Sequence, residues 1–181
     1  MSEPLTPEQE RFLLKLARRA IEHHIKTGSR FQSSVTDPGL KEKRGAFVTL
    51  KVDGDLRGCI GYPLPYKPVA ETIAEMAVAA ASQDFRFDPL TAEELGRTKI
   101  EISVLSLPEP VMDAKDVEVG THGVIVSKGL NRGLLLPQVP LEHQWDREVY
   151  LRNCCLKAGL GPDEWKKGAK IEVFTAQVFS E

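Results

Sequence analysis

Residues 46–62 read Ala46-Phe47-Val48-Thr49-Leu50-Lys51-Val52-Asp53-Gly54-Asp55-Leu56-Arg57-Gly58-Cys59-Ile60-Gly61-Tyr62. Two alternating runs meet at Asp53-Gly54, the pattern of an antiparallel hairpin. In the first run Val48, Leu50 and Val52 fall on one face and Phe47, Thr49 and Lys51 on the other. The register of the second run decides which side chains reach solvent. A two-residue Asp53-Gly54 turn pairs Val52 with Asp55 and Leu50 with Arg57, setting an acid and a guanidinium on the apolar face. A three-residue turn, Asp53-Gly54-Asp55, pairs Val52 with Leu56 and Val48 with Ile60, and so gathers the aliphatic side chains on one side. The second register is the expected one. It places Cys59 away from the apolar face, in the company of Arg57, Thr49 and Lys51.

That arrangement has chemical content. Fixed positive charge beside a thiol favours the thiolate, the nucleophilic and metal-binding form. Cys59 is therefore the candidate nucleophile, and Arg57 its activating and anion-holding neighbour. Gly58 and Gly61 let a ligand or another backbone come close, and Thr49 shares the face as a binding group. The competing structural reading is that Cys59 is a small hydrophobe and that Arg57 pairs with a carboxylate.

Working outward, residues 6–27 form an amphipathic helix. Thr6-Pro7-Glu8-Gln9 makes a capping box, Phe12, Leu13, Leu16, Ala17, Ala20, Ile21 and Ile25 make one apolar stripe, and Gly28 ends it. His23 and His24 point about 100° apart and do not share an ion easily. Residues 29–45 are a long connection with a turn at Asp37-Pro38-Gly39 and a charged run, Lys41-Glu42-Lys43-Arg44. It reads either as a solvated loop or as a mobile flap that brings Lys or Arg to an anionic ligand. Pro68 starts a second helix running to about Ser82, with Val69, Ile73, Met76, Ala77 and Ala80 as its core face. In Asp84-Phe85-Arg86-Phe87-Asp88-Pro89, Asp84 and Arg86 either pair or reach a ligand, with Phe85 and Phe87 as anchors.

Thr91-Ala92-Glu93-Glu94 is a second capping box, and residues 99–107 alternate as a strand. Residues 108–137, which hold a second hairpin with arms 124–127 and 133–137, are expected to form a smaller subdomain. Residues 1–107 and 138–181 make up the larger one. His122, between Gly120 and Gly123, is a candidate proton carrier. Residues 141–158 read as a third long helix. Glu142 and Asp146 lie one turn apart on it; with Gln138 and His143 they form a second polar cluster, in which Glu142 is the candidate acid or base. Residues 171–179 read as a last strand, central to the main sheet.

The whole chain has 181 residues, 41% hydrophobic and 28% charged, with a net charge of −2. That is the composition of an ordinary soluble globular protein, and its balance argues against general nucleic-acid binding. Three cysteines, two of them adjacent (Cys154 and Cys155), suit reduced thiols in the cytoplasm better than a disulfide framework. No apolar run approaches membrane length, and the first residues lack a signal-peptide pattern. Zinc-ligand spacing, a phosphate-binding loop and a dinucleotide fingerprint are all lacking, so neither metal nor cofactor is assigned.

Five segments stand in an order that resembles one family. They are Gly45 to Leu50, Leu56-Arg57-Gly58-Cys59-Ile60-Gly61, Asp84 to Pro89, Gly133 to Val139 and Cys155 to Leu160. Together they resemble the AMMECR domain family, called AmmeMemoRadiSam system protein A in prokaryotes, over nearly the whole chain. The hexapeptide from Leu56 to Gly61 is the family hallmark. The stretch Leu134 to Trp145 also fits, with Pro140 and Leu141 in place of the usual small residue. The resemblance implies an α+β fold of two unequal parts, with an antiparallel sheet, a cleft between the parts and the hallmark at that cleft. It also implies association with a Memo-type protein, related to extradiol dioxygenases, and with a radical S-adenosylmethionine protein. It supplies no reaction. Human relatives are linked to disease and to partner proteins.

Two functions therefore compete. In the first, the chain is an enzyme: Cys59 attacks, Arg57 holds an anionic group, and Glu142 or His122 moves protons. In the second, it is a binding module or adaptor, taking a small molecule or peptide in the cleft, with Gly58 and Gly61 required only for backbone fit.

Overall fold

The computed structural model describes residues 3–32 and 34–181. In chain order the elements are α1 (Pro7–Thr27), β1 (Ala46–Val52), β2 (Asp55–Tyr62), α2 (Val69–Ser82), α3 (Ala92–Leu95), β3 (Thr98–Leu105), β4 (Glu109–Pro110), β5 (Gly123–Lys128), β6 (Asn131–Leu135), α4 (Val139–Glu142), α5 (Arg147–Lys157), β7 (Lys170–Phe174) and β8 (Ala176–Ser180). The fold is α+β with two sheets, and the chain divides into two units: residues up to Leu105 together with Gln177–Glu181, and Ser106–Ala176.

In the first unit the order of strands is β2-β1-β3-β8, and both β2 and β3 run antiparallel to β1. Helices α1 and α2 pack on each other and on this sheet. The capping box of α1 forms as its sequence dictates: Thr6 Oγ1 accepts the Gln9 N–H, and the Gln9 side chain accepts the Thr6 N–H at 3.0 Å. Gly28 ends the helix at φ 68°, where its N–H reaches the His24 carbonyl. Along the sheet, Val48 and Leu50 alternate with half-buried Thr49 and Phe47, and Ile100 and Ile102 with Glu101 and Ser103. The aliphatic set joins Leu13, Ile21, Ile73 and Ala77 in one core.

In the second unit the order is β4-β7-β5-β6, and α5 packs on β5 and β6. Tyr150, Leu151, Cys154 and Cys155 are fully buried against Val124, Val126 and Leu135. The helix comes this close because residue 133 is a glycine: a Cβ there would lie 2.5 Å from the Ala158 nitrogen and 2.7 Å from the Cys154 carbonyl oxygen.

Three expectations are corrected. The second unit extends from Ser106 to Ala176 rather than from 108 to 137, because the 147–157 helix covers the second sheet and not the first. The expected helix over 141–158 is two helices. It breaks at residues 143–146, where Gln144 takes φ 55° and Asp146 caps α5 by accepting the Val149 N–H at 2.9 Å. The expected strand over 171–179 divides at Thr175, and no central strand results. Lys170–Phe174 belongs to the second sheet, and Ala176–Ser180 is an edge of the first. At the division Ser106 and Thr175 clasp each other: the Ser106 N–H meets the Thr175 carbonyl and the Thr175 N–H meets Ser106 Oγ, each at 2.9 Å.

Candidate functional site

The turn of the first hairpin has two residues, not three. Asp53 (φ 54°) and Gly54 (φ 93°) both take positive φ, as a tight primed turn requires. Val52 therefore faces Asp55 and Lys51 faces Leu56; the register then shifts, so that Leu50 faces Gly58, Thr49 faces Cys59 and Val48 faces Ile60. Arg57 is the extra residue of a β-bulge. The apolar pattern demanded Val48 opposite Ile60 and the Asp-Gly pair demanded a short turn. The bulge satisfies both, a solution that neither uniform register offers.

Cys59 lies half-buried on the sheet face of Phe47, Thr49, Glu101 and Ser103, opposite the helix-covered face. Thr49 Oγ1 donates to its sulfur at 3.2 Å. The Cys59 N–H points outward from the edge strand to Asp84 Oδ2, at 2.9 Å. That direction makes Thr49 and Cys59 a non-hydrogen-bonded cross-strand pair, in which side chains approach most closely. Gly58 and Gly61 have packing reasons of their own. A Cβ on Gly58 would stand 2.1 Å from the Ala80 carbonyl oxygen of α2, and one on Gly61 would meet the Phe47 ring at 2.4 Å.

Asp84 is 4% exposed, and both its oxygens are occupied. Oδ1 accepts Arg86 N–H at 3.2 Å and Nε at 2.9 Å; Oδ2 accepts Arg86 Nη2 at 2.6 Å besides the Cys59 N–H. The guanidinium, helped by the backbone donors, holds the Asp84 carboxyl far below the usual carboxylate range. Arg86 is in turn held in its charged form by Asp84. Arg86 and the Cys59 N–H thus share one carboxylate oxygen, Asp84 Oδ2. The two cations expected on the face of the sulfur, Arg57 and Lys51, each have a carboxylate partner. Arg57 is taken by Glu94 through Nε at 2.8 Å and Nη2 at 3.1 Å and by the Asp88 carbonyl at 2.6 Å, and Lys51 pairs with Glu101 at 3.0 Å. Arg57 lowers the Glu94 pKa to about 2, with the Thr91 N–H adding to the effect.

The other candidates lie in the second unit. His122 Nδ1 accepts the Glu118 N–H at 3.1 Å, closing a tight turn. Glu142 and Gln138 are exposed, at the end and the start of α4. The structure thus brings together Cys59, Thr49, Asp84 and Arg86, and sets Arg57 to a different task. Among the described residues, no group of three or more His, Cys, Asp or Glu side chains is placed to hold a metal ion.

A recess of the first unit lies away from Cys59. A groove of about 780 Å³ is lined by the C-terminal half of α1, residues of the connection over 28–32 and 35–41, and one side of α2. Arg30, Val35, Lys41, Glu71, Ala74 and Val78 are among its walls. The connection's stretch over residues 37–42 is anchored rather than a free flap. Asp37 accepts from Gln9 Nε2 at 3.1 Å, Leu40 is 2% exposed, and the Val69 N–H donates to the Glu42 carbonyl at 2.8 Å. Of the charged run, Arg44 turns inward onto Glu42, whereas Lys41 faces the groove. Reading α2 only as a core helix overlooks this outer side. Its signal is weak, a small apolar pair one turn apart, Ala74 and Val78, next to Glu71 and Glu75.

Among the described residues no helix is long and apolar enough to cross a membrane. The AMMECR1 family model matches residues 14–179. A protein of Methanopyrus kandleri is 47% identical over 191 residues, covering 100% of this chain and 92% of that protein. One of Methanocaldococcus jannaschii is 43% identical over 186 residues, covering 98% and 92%. The crystal structure of an uncharacterized protein from Pyrococcus horikoshii superposes with a TM-score of 0.83 at 43% identity, covering 98% of this chain and 93% of that one. With its segments in family order and nearly its full length matched, the chain belongs to the AMMECR1 family.

Proposed function

We propose that this chain is a binding module, and that the groove between α1, the 28–41 connection and α2 receives its ligand. The observation that carries this reading is a division of labour within one unit. The hallmark hexapeptide spends its groups on structure: Arg57 on Glu94, the Cys59 N–H on Asp84, and Gly58 on the approach of α2. The groove, of a volume within the range of small-molecule sites, has no cysteine in its lining. A partnership with Memo-type and radical S-adenosylmethionine proteins suits such a component, which contributes recognition and leaves chemistry to others. Three unpaired thiols support a reducing, cytoplasmic setting.

Amide chemical shifts of the ¹⁵N-labelled protein, titrated with a fragment library, test this reading. Perturbations are expected in residues 28–41 and 70–79 and persist in Cys59→Ala. Perturbations centred on Cys59 and abolished by Cys59→Ala would overturn it. The second reading, thiol chemistry, is favoured by one observation, the Arg86 guanidinium held by the same Asp84 oxygen that accepts the Cys59 N–H. Alkylation of Cys59 by iodoacetamide faster than that of N-acetylcysteine would favour it; equal or slower alkylation supports the binding module.

A further inference from the structure

We infer that the groove takes an organic anion with an apolar body, its acidic head against Arg30 and Lys41 and its body along Ala74 and Val78. The inference rests on the binding reading above and adds the class of ligand. Its first support is unspent charge. Arg30 and Lys41 line the groove and, among the described residues, make no ion pair. Arg30 also stands near enough to Lys67 for the two cations to oppose each other. An anion placed there relieves that repulsion and finds donors that are already exposed.

The acids that share the groove do not cancel this field. Glu75 is held by Lys67 at 2.6 Å. Glu71 sits in the first turn of α2, where the partial positive charge of the helix start offsets a carboxylate. In the lining two cations, Arg30 and Lys41, meet two carboxylates, Glu71 and Glu75, of which Glu75 is already paired with Lys67 from outside the lining. The second support is the floor. Ala74 and Val78 are half-buried and lie one turn apart on α2. Leu40, Val35 and Met76 belong to the same lining, as do the Phe31 and Tyr62 rings. A flat apolar body gains burial there, while its head stays at the rim.

Two fluorescent probes with similar aromatic bodies separate head from body. 8-Anilinonaphthalene-1-sulfonate carries an anionic head; N-phenyl-1-naphthylamine does not. The sulfonate is expected to bind more tightly. In Arg30→Glu/Lys41→Glu its Kd is expected to rise about tenfold or more, as loss of charged hydrogen-bond partners implies. The neutral probe is expected to change less than about twofold. Ala74→Trp, which fills the floor, is expected to weaken both, and amide shifts at 30–41 and 70–79 locate the probes independently of any variant. If Ala74→Trp weakens both probes but charge reversal spares the sulfonate, the ligand class is wrong and the groove stands. If neither probe responds to Ala74→Trp or shifts those amides, the binding reading itself falls.

Discussion

The two units solve one problem with different chemistry. Each has a four-stranded sheet with helix packed on one face, and in each a glycine lets a helix backbone press on a strand, Gly58 under α2 and Gly133 under α5. The first unit ties its edges with ion pairs, Asp84 with Arg86 and Glu94 with Arg57. The second has ion pairs as well, such as Lys128 with Glu164, but it also buries neutral groups: the Tyr150 hydroxyl, within 3.1 Å of the His122, Leu135 and Leu136 carbonyls, and the Cys154 thiol. Carboxylates that work ionised and hydroxyls or thiols that work protonated respond to pH in opposite directions. The first unit should therefore be the more acid-sensitive and the second the more alkali-sensitive.

The largest effects come from the two glycines. Gly58→Val and Gly133→Val each force a side chain into helix backbone and are expected to lower stability by more than about 3 kcal/mol, measured by urea denaturation. Both tryptophans, Trp145 and Trp165, lie in the second unit. Tryptophan fluorescence should therefore register Gly133→Val directly. If Gly58→Val moves the fluorescence transition by as much, the units unfold as one and the comparison must be redrawn.

Next in size is Asp84→Ala, expected to lower stability by about 3 kcal/mol because it strands the Cys59 N–H and unpairs Arg86. Tyr150→Phe, which removes a neutral donor, should lower it by about 1–2 kcal/mol.

The pH arms follow. Glu94 has its folded pKa lowered from 4.5 to about 2. Its contribution is complete above the ordinary glutamate value and is lost as pH falls through that window. Glu94→Gln should flatten the decline in melting temperature between about pH 4.5 and 2. Cys154, raised by burial from 9.0 to about 12, works in reverse. The folded thiol keeps its proton where the unfolded one loses it, so stability is complete below about pH 9 and declines above it. Cys154→Ala should lower the neutral-pH stability but flatten that alkaline decline. The smallest expected effect is Glu101→Gln, within about 0.5 kcal/mol, because the Lys51–Glu101 pair is 40% and 32% exposed.

Much of the first unit was legible in the sequence because its signals are local. The Thr6 and Thr91 capping boxes, Gly28 and the alternation of Val48 and Leu50 need no distant partner to be read. The hairpin was half legible. Alternation correctly set Val48 opposite Ile60, but a bulge leaves no periodic trace, and absorbing Arg57 is what sent that side chain to Glu94. Glu94 is 37 residues away from Arg57 in the chain, so the true partner lay beyond any spacing rule. Thr175 was illegible for a related reason. Nothing in Ile171 to Phe179 breaks the strand pattern, and only pairing with two separate sheets divides it. The groove was the least legible of all, since one side of α2 must serve as surface while its neighbours serve as core.

The clasp between Ser106 and Thr175 has a consequence for biosynthesis. The second unit is an insert, its two ends fastened together like the neck of a pouch. On the ribosome, residues 106–176 emerge whole before the strand that completes the first sheet. The enclosed part can therefore finish folding while its host still waits with an open sheet edge on β3.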